Sequence, residues 1–432
     1  MGRTHPGAGL NPVPDGGSNP GPGTTPAGRP AEDASPPAVA GPGVPAGPST
    51  WPPPTRWPEP LHRAVRALAD AAQGRTLPLV ALSGGADSLA LAVAAAEAAR
   101  TRAAPTLAAG VGAVIVDHGL QPGSDAVARR AATVARALGL DPVTVARVEV
   151  PVTGEGPEAE ARAARHAGLE AAARRLGSDA VLLAHTRDDQ AEQVLLGLAR
   201  GSGTRSLAGI PRRRGMLLRP LLDLTRQDTE SICAWAGVRW WEDPTNADPA
   251  YLRSRIRTRV LPVLEDPHHG LGPGLSAALA RSADIAAEDA AALEDWAARE
   301  FDRLREAGEA PGLRPSSCPA ASSSPAAPPA SSPAPVSLPL GELAALPEAI
   351  RYRVIGYAVL DAGGERPSRE RVLAVDRLVA TRSTGGSSAG PVELAGGVVS
   401  HRRGPGGYAR LVFSAVRPFS PSRTGPAEGV FP

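Results

Sequence analysis

The sequence predicts an α/β domain with a doubly wound parallel sheet, followed by a helical segment and a small C-terminal domain. Strand-length apolar runs alternate with helix-forming runs between residues 60 and 199, the pattern of a parallel sheet with helices on both faces. Polar residues end three of these apolar runs: Ser83, the pair Asp117 and His118, and His185. Because ligands bind at the carboxyl ends of strands in such sheets, we expect these residues to share one site.

The elements follow one another in alternation along the chain. A helix over LHRAVRALADAA precedes a strand over LPLVAL, and the next helix, DSLALAVAAAEAA, consists mostly of strong helix formers. Further strands are predicted over GAVIVDH, VTVARVEV and DAVLLAH. Further helices are predicted over SDAVARRAATVARAL, PEAEARAARHAGLEAAARRL and DDQAEQVLLGLA.

Composition divides the chain into segments. The 432 residues include 48 glycines and 47 prolines, which indicates that part of the chain does not form a packed core. We predict a disordered tail over 1–58, the α/β domain over 59–222, a helical extension over 223–310, a low-complexity linker over 311–338, a C-terminal domain over 339–416 and a loose tail over 417–432.

The charge, the cysteine content and the apolar runs of the sequence exclude several classes of protein. The basic residues are all arginine; a GC-rich genome explains this bias, although arginine also suits bidentate phosphate contacts. Cys233 and Cys318 form no CxxC pair, so neither a disulfide framework nor a zinc site is predicted, and we expect neither thiol beside the site. The sequence has no apolar run of membrane-spanning length and no signal-peptide pattern, which predicts a cytoplasmic protein without membrane contact.

The stretch VALSGGADSLAL contains the strongest local signal. Its glycines let backbone N–H groups approach an anion where a strand ends and a helix begins. No lysine follows them, so the loop differs from the Walker pattern and from the dinucleotide fingerprint. The alternative is an ordinary turn with a capped helix. A loop that carries Asp87 instead of lysine favours pyrophosphate handling with a magnesium ion.

A second polar group follows the fourth predicted strand. His185, Asp189 and Glu192 are spaced i, i+4 and i+7, so they share one helical face if the turn before Asp188 is helical. The alternatives are a loop or capping histidine and an ordinary acidic first turn. Binding an ammonium group, ligating a metal ion and orienting a base all remain open for these residues.

Four motifs follow one another along the chain: SGGADS, VDHGL, EAEARAARH and AHTRDDQAEQ. Their occurrence in this order favours a functional site over four unrelated turns and helix caps. Together with RGSGTRSLAGIP, RPLLDLTRQD and WWEDPTNADPAYLRSRIRTRVLPVL, they resemble the tRNA(Ile)-lysidine synthase family of the PP-loop ATP pyrophosphatase superfamily. The resemblance covers about residues 60–264 and resumes weakly in LPLGELAALPEAIRYRVIGYAVLDAGG. It implies a PP-loop, adenine nucleotide α-hydrolase-like sheet over 59–222. His166, Thr186 and Gln193 stand where the family pattern has tyrosine, histidine and threonine.

The resemblance also implies an activity. ATP adenylates the wobble cytidine in the CAU anticodon of tRNA(Ile), and free L-lysine then displaces AMP to form lysidine, with Mg2+ assisting. The implied nucleotide-binding residues are Ser83, Gly84, Gly85, Ala86, Asp87, Ser88, Asp117 and His118, with Asp87 also the metal ligand. The implied catalytic residues are Asp87, Arg162, Arg165, His185, Asp189 and Glu192. For Arg162 and Arg165, a solvated helix face is the alternative.

Two groups of arginines are candidates for tRNA contacts. The first, which we favour, flanks a glycine-containing loop and consists of Arg200, Arg205, Arg212, Arg213 and Arg214. The second consists of Arg253, Arg255, Arg257 and Arg259, whose alternate spacing cannot face one way on a helix, so we expect some internal pairing. The C-terminal domain is expected to clamp tRNA, and a homodimer is left open. The rival hypotheses are a tRNA thiolase, an amide-forming PP-loop synthetase and a catalytically silent tRNA-binding protein.

Overall fold

The structure is a computed structural model that describes residues 56–117, 119, 123–151, 157–201, 203–242, 248–308, 334–380, 391–403 and 409–415. Of the predicted tail 1–58 and linker 311–338, only 56–58 and 334–338 lie within these ranges, and the predicted tail 417–432 lies outside them. None of the described helices is long and apolar enough to cross a membrane.

The predicted α/β sheet is confirmed. Its strands are β1 (Leu79–Ala81), β2 (Gly112–Asp117), β3 (Val143–Arg147), β4 (Val181–Leu182), β5 (Arg213–Arg214) and β6 (Leu217–Leu218). They are arranged in the order β3-β2-β1-β4-β6-β5. All neighbours pair in parallel except β5 and β6, which form an antiparallel hairpin at the edge. The alternating sequence pattern did not indicate this hairpin.

Helices cover both faces of this sheet. The first eight are α1 (Glu59–Ala72), α2 (Ala86–Arg100), α3 (Pro105–Ala108), α4 (Ser124–Ala137), α5 (Pro157–Arg175), α6 (Arg187–Ala199), α7 (Thr204–Leu207) and α8 (Arg226–Trp235). Next come α9 (Leu252–Arg255), a π-helix (Ile256–Val260), α10 (Leu261–Glu265) and α11 (Leu275–Gly308).

The two faces bury different residues because successive side chains of a strand point in opposite directions. Val80 and Ile115 pack with α1, α2, α4 and α8 in one core cluster. Leu79 and Val114 pack with α5 in a second cluster. Almost all of α2 is buried, including Leu89 and Leu91, and each such leucine stabilises the fold by roughly 1.5–3 kcal/mol. This burial fixes the start of α2, where the glycine loop lies.

The C-terminal unit is an antiparallel sheet with helices packed against it. Its strands β7 (Val336–Pro339), β8 (Val392–Leu394), β9 (Gly397–Arg403) and β10 (Ala409–Ala415) follow the order β7-β10-β9-β8. Its helices are α12 (Leu340–Ala345), α13 (Glu348–Asp361) and α14 (Arg369–Ala380). β7 begins within the last three residues of the predicted linker, because Val336 and Leu338 are buried in the core of this unit.

Candidate active site

The glycine loop lies between β1 and α2, with its serines bonded to one another. Ser88 Oγ accepts hydrogen bonds from Ser83 N (3.2 Å) and Ser83 Oγ (3.1 Å) and donates to the Gly85 carbonyl (2.9 Å). Gly84 has a φ of +88°, which favours glycine, and its carbonyl accepts a bond from Trp241 N (3.0 Å). α2 begins at Ala86 without a side-chain cap. Its first-turn N–H groups therefore suit the oxygens of a bound phosphate.

Asp87 lies in the first turn of α2 and contacts α8. Its Oδ2 accepts a hydrogen bond from Arg226 Nη1 (2.6 Å), and its Oδ1 accepts one from Thr229 Oγ1 (2.5 Å). Burial raises the pKa of Asp87 above its ordinary value, with a further contribution from Asp189, although Thr229 and Arg226 oppose the shift. α8 therefore fixes the direction of this carboxylate.

The site suits Mg2+ only if the phosphates of the substrate supply most of the ligands. The described residues contain no group of three or more histidine, cysteine or acidic side chains able to hold a metal ion. Mg2+ commonly binds through one or two carboxylates together with substrate phosphates and water. Each oxygen of Asp87 accepts a hydrogen bond from α8 and has a second lone pair. Asp87 thus fits as a single protein ligand beside nucleotide phosphates.

Asp117 shapes the turn that follows β2. Its Oδ1 accepts hydrogen bonds from Gly119 N (3.0 Å) and Ser124 Oγ (2.7 Å), which joins the end of the strand to the start of α4. The carboxylate is buried. His118, predicted together with Asp117, lies outside the described residues. Asp117 therefore lies at the expected sheet edge, with its side chain bonded into the local turn.

His185 precedes α6 and does not share its helical face with Asp189 and Glu192. The turn before Asp188 is extended, with Thr186 as N-cap at φ −107° and ψ 177°, so the helical i, i+4, i+7 arrangement is wrong for this histidine. Asp189 closes the capping box by accepting from Thr186 N (2.8 Å). His185 Nδ1 is buried and lacks a hydrogen-bond partner in the described part of the chain. Burial lowers the pKa of His185 to about 3, despite the opposing charge of Asp189.

Asp189 and Glu192 are held by two arginines from the segment that follows residue 248. Arg253 contacts Glu192 (2.7 Å) and Asp189 (2.9 Å), and Arg257 contacts the same carboxylates (2.6 and 3.3 Å). Arg253 lies in α9 and Arg257 in the π-helix, so this element brings both guanidiniums to α6. The predicted internal pairing within the second arginine group is confirmed. Burial raises the pKa of Asp189, but Arg253, His185 and Arg257 more than offset it.

The two predicted arginines of α5 lie near a third arginine that the sequence did not single out. Arg219 follows β6 and is 4% exposed. Its charge, with those of Arg165 and Arg162, acts on His166, whose pKa falls to about 4, mainly because of burial. The only signal in the sequence that could have identified Arg219 is its position directly after the apolar residues MLL, as the first residue of the motif RPLLDLTRQD. The charges of Arg162, Arg165 and Arg219 therefore all act on His166.

The first arginine group is divided between paired and unpaired side chains. Arg212 forms a bidentate pair with Asp223 (2.8 and 2.7 Å), and Arg205 lies 3.8 Å from Glu294. Arg213 and Arg214 are exposed on the β5 edge strand, and within the described ranges neither forms an ion pair. Arg200 is exposed at the end of α6. Arg200, Arg213 and Arg214 are therefore the most available members of the group.

Cys233 lies beneath the glycine loop, which corrects the expectation that neither thiol is near the site. Its Sγ donates to the Ala86 carbonyl (3.3 Å), because α8 packs against the start of α2. Burial raises the pKa of this thiol to about 12, so it remains protonated and a poor nucleophile. Cys318 lies outside the described residues. The position of Cys233 thus gives no support to thiol chemistry.

Residues 59–264 match the PP-loop domain family, so the fold and the site define a PP-loop protein. A tRNA(Ile)-lysidine synthase from Leifsonia xyli subsp. xyli is 47% identical over 304 residues, covering 70% of this chain and 82% of that protein. The synthases of Streptomyces coelicolor (44% identity, covering 76% and 83%) and Thermobifida fusca (45%, covering 73% and 86%) are also similar. The chain belongs to the tRNA(Ile)-lysidine synthase family.

Proposed function

We propose that this protein joins free L-lysine to the wobble cytidine in the CAU anticodon of tRNA(Ile), in the cytoplasm. The observation that carries the proposal is the similarity to named synthases over more than four fifths of their length. The ring carbonyl oxygen of cytidine attacks the α-phosphorus of ATP, and pyrophosphate leaves. The ε-amine of lysine then attacks the ring carbon, AMP leaves with the oxygen, and the amine loses a proton. The lysidine so formed reads AUA instead of AUG.

The glycine loop is assigned to the ATP phosphates in this reaction. The N–H groups at the start of α2 and the hydroxyls of Ser83 and Ser88 are the donors available there. Mg2+ bound at Asp87 would neutralise charge on the phosphates. The contacts from Arg226 and Thr229 to Asp87 support this assignment, because they hold the carboxylate in one direction beside the loop. Asp117 lies at the tip of the neighbouring strand β2.

The group formed by His185, Asp189 and Glu192 is assigned to the second step. Both carboxylates are occupied by Arg253 and Arg257, which favours binding or orienting a substrate over ligating a metal ion. His185 has a low pKa and an unpartnered Nδ1, so its neutral ring has a nitrogen available for a substrate hydrogen bond. Arg162 and Arg165 are assigned to the charge that develops on the adenylate.

Anticodon binding is assigned to Arg200, Arg205, Arg212, Arg213 and Arg214. Arg213 and Arg214 have the strongest support because they are exposed and lie on an edge strand. The C-terminal unit supplies a further tRNA contact. A homodimer is also included in the proposal, to be checked by the mass of the protein in solution.

The reaction is tested with purified protein, ATP, Mg2+, L-lysine and unmodified tRNA(Ile) with a CAU anticodon. We expect AMP, pyrophosphate and a nucleoside heavier than cytidine by lysine less water, measured by mass spectrometry after digestion. Omitting lysine separates a ligase from a thiolase, and omitting tRNA separates an enzyme from a silent binder. An unchanged nucleoside mass with folded protein that binds ATP would refute the proposal.

A further inference from the structure

The chain segment that follows α8 returns to the glycine loop. Val238 is buried in the same core cluster as α2, and Trp240 is packed against that cluster. Val238 N also donates to the carbonyl of Cys233 in α8 (2.9 Å). These contacts fix the segment where its next residue, Trp241, donates its backbone N–H to the carbonyl of Gly84 (3.0 Å). Trp241 therefore contacts the loop from an anchored position.

The first two carbonyls of the loop's glycines are bonded to donors of the protein itself. The Gly84 carbonyl accepts from Trp241 N, and the Gly85 carbonyl accepts from Ser88 Oγ (2.9 Å). In a trans peptide the C=O and the N–H that follows it point in opposite directions. The N–H groups of Gly85 and Ala86 therefore point away from these donors, and among the described residues neither has an acceptor. Both N–H groups are thus available to an anion at the start of α2.

The peptide between Gly84 and Gly85 is free to rotate unless a contact holds it. Glycine adopts positive and negative φ about equally readily, and the two residues have φ values of +88° and −78°. Half a turn of this peptide would direct the Gly84 carbonyl oxygen, instead of the Gly85 N–H, at a bound phosphate. An oxygen in that position repels an anion. Within the described ranges Trp241 N is the only donor to this carbonyl, so it is the contact that opposes the rotation.

We propose that Trp241 is a positioning residue of the nucleotide site, whose backbone N–H keeps the peptide between Gly84 and Gly85 in the orientation that binds phosphate. This inference deepens the proposed function and rests on it for the identity of the ligand, ATP. The role belongs to the main chain of Trp241 and not to its indole. A loop without this bond is competent for only part of the time, and its apparent affinity for ATP falls in proportion to that fraction.

The test separates the N–H of Trp241 from its indole, in the full chain. Trp241→Ala removes the indole and retains the N–H, whereas Trp241→Pro removes both. Incorporating the α-hydroxy analogue of tryptophan at position 241 replaces only this N–H by an ester oxygen. The same ester at Trp240 is the matched control, because the N–H of Trp240 donates to no backbone acceptor within the described ranges. Dissociation constants are measured for ATP with Mg2+ and for adenosine, both without tRNA.

We expect the Trp241 ester and Trp241→Pro to weaken ATP binding by about fivefold to tenfold, the factor that corresponds to losing one net hydrogen bond. Adenosine has no phosphate, so its dissociation constant should stay within about twofold of the parent's in every variant. Trp241→Ala and the Trp240 ester should bind both ligands within about twofold of the parent. A loss confined to ATP is a result that a merely structural contact would not produce.

Three results would overturn the proposal. If the Trp241 ester binds ATP as tightly as the parent does, the bond to Gly84 does not orient the loop. An equal loss of affinity for ATP and adenosine identifies a contact that only holds the fold together. A loss in Trp241→Ala as large as that in the Trp241 ester assigns the effect to the indole. If Trp241→Pro does not fold, the two esters and Trp241→Ala decide the question.

Nucleotide binding is measured separately from lysidine formation. If the parent binds ATP but forms no lysidine, while the Trp241 ester weakens the binding of ATP alone, the positioning role stands and the proposed reaction fails. If the parent forms lysidine and the Trp241 ester binds ATP as tightly as the parent, the reaction stands and the positioning role fails. A parent that binds no ATP overturns the positioning role, whatever reaction the protein supports.

Discussion

Single side chains in the site are positioned by partners that are distant in the sequence. Asp87 contacts Arg226 and Thr229, which lie 139 and 142 residues further along the chain. Local sequence identified Asp87 because it lies two residues after the second glycine, at the start of α2. It did not identify Arg226 or Arg219, because their proximity to the site depends on how α8 and β6 pack. Chemistry-bearing residues within one motif were therefore predictable, and their supporting contacts were not.

The two partly buried histidines of the site, His185 and His166, predict a pH dependence of stability. The pKa values of His185 and His166 are about 3 and about 4 in the folded protein, against 6.5 ordinarily. Between pH 6.5 and about 4 the unfolded chain therefore binds more protons, so the free energy of unfolding falls as pH decreases through this range. We expect replacement of both residues by glutamine to flatten this part of the curve, measured as melting temperature against pH.

A control distinguishes these two histidines from other titrating groups. His62 is exposed and forms no ion pair within the described ranges, so His62→Gln should leave the pH curve of the parent unchanged. Asp189 has a lowered pKa and loses its contribution only as pH falls below 3.8, outside the range in question. A double variant whose melting temperature still falls steeply from pH 6.5 to 4 would contradict the assignment.

At the scale of elements, the π-helix contributes to the site by bringing Arg257 beside Arg253. π-helical turns are rare and occur often at functional sites. The two guanidiniums neutralise Asp189 and Glu192, of which Glu192 is completely buried. Periodicity in the sequence predicted that these arginines cannot all face one way, but it gave no signal for the π-helix. The two-residue strands β5 and β6 were missed because pairing partners, not local propensity, define such short strands.

Removing both arginines should destabilise the fold. Arg253→Met with Arg257→Met leaves the buried Glu192 and the partly buried Asp189 without an ion-pair partner, which costs on the order of 3–5 kcal/mol. The measurement is urea unfolding at pH 7. Arg129→Met is the control, because its pair with Asp125 is exposed and its loss should cost less than about 1 kcal/mol. If the double variant is as stable as the control, these carboxylates do not depend on the arginines.

At the scale of the whole molecule, α11 connects the α/β sheet to the C-terminal unit. It packs against α6 and α7 at one end and against α13 and β7 at the other. Its 34 residues span about 50 Å. Glu294 of α11 accepts from Tyr357 (2.6 Å) and lies near Arg205 (3.8 Å) and Arg353 (3.5 Å). The alternating sequence pattern predicted the sheet. That one helix joins the two hydrophobic cores could be seen only in the packed structure, because it depends on contacts between distant segments.

The separation of the glycine loop from the β5 edge predicts that chemistry and tRNA affinity can be altered independently. Asp87→Ala should abolish adenylation and leave tRNA binding nearly intact, because the carboxylate lies beside the loop and contributes little to distant phosphates. Arg213→Ala with Arg214→Ala should do the reverse. Both side chains are exposed and lack ion pairs within the described ranges, so each is available to neutralise a backbone phosphate.

The measurements are tRNA affinity as a function of salt and ATP-dependent turnover at saturating tRNA. The double arginine variant should bind tRNA more weakly, and its salt slope should fall by about 0.7–0.9 for each backbone phosphate that is no longer neutralised. Its turnover should largely recover when tRNA is saturating, whereas that of Asp87→Ala should not recover. An unchanged salt slope would show that the β5 edge does not bind tRNA, and the C-terminal unit that α11 joins to the sheet would then become the leading candidate for the tRNA contact.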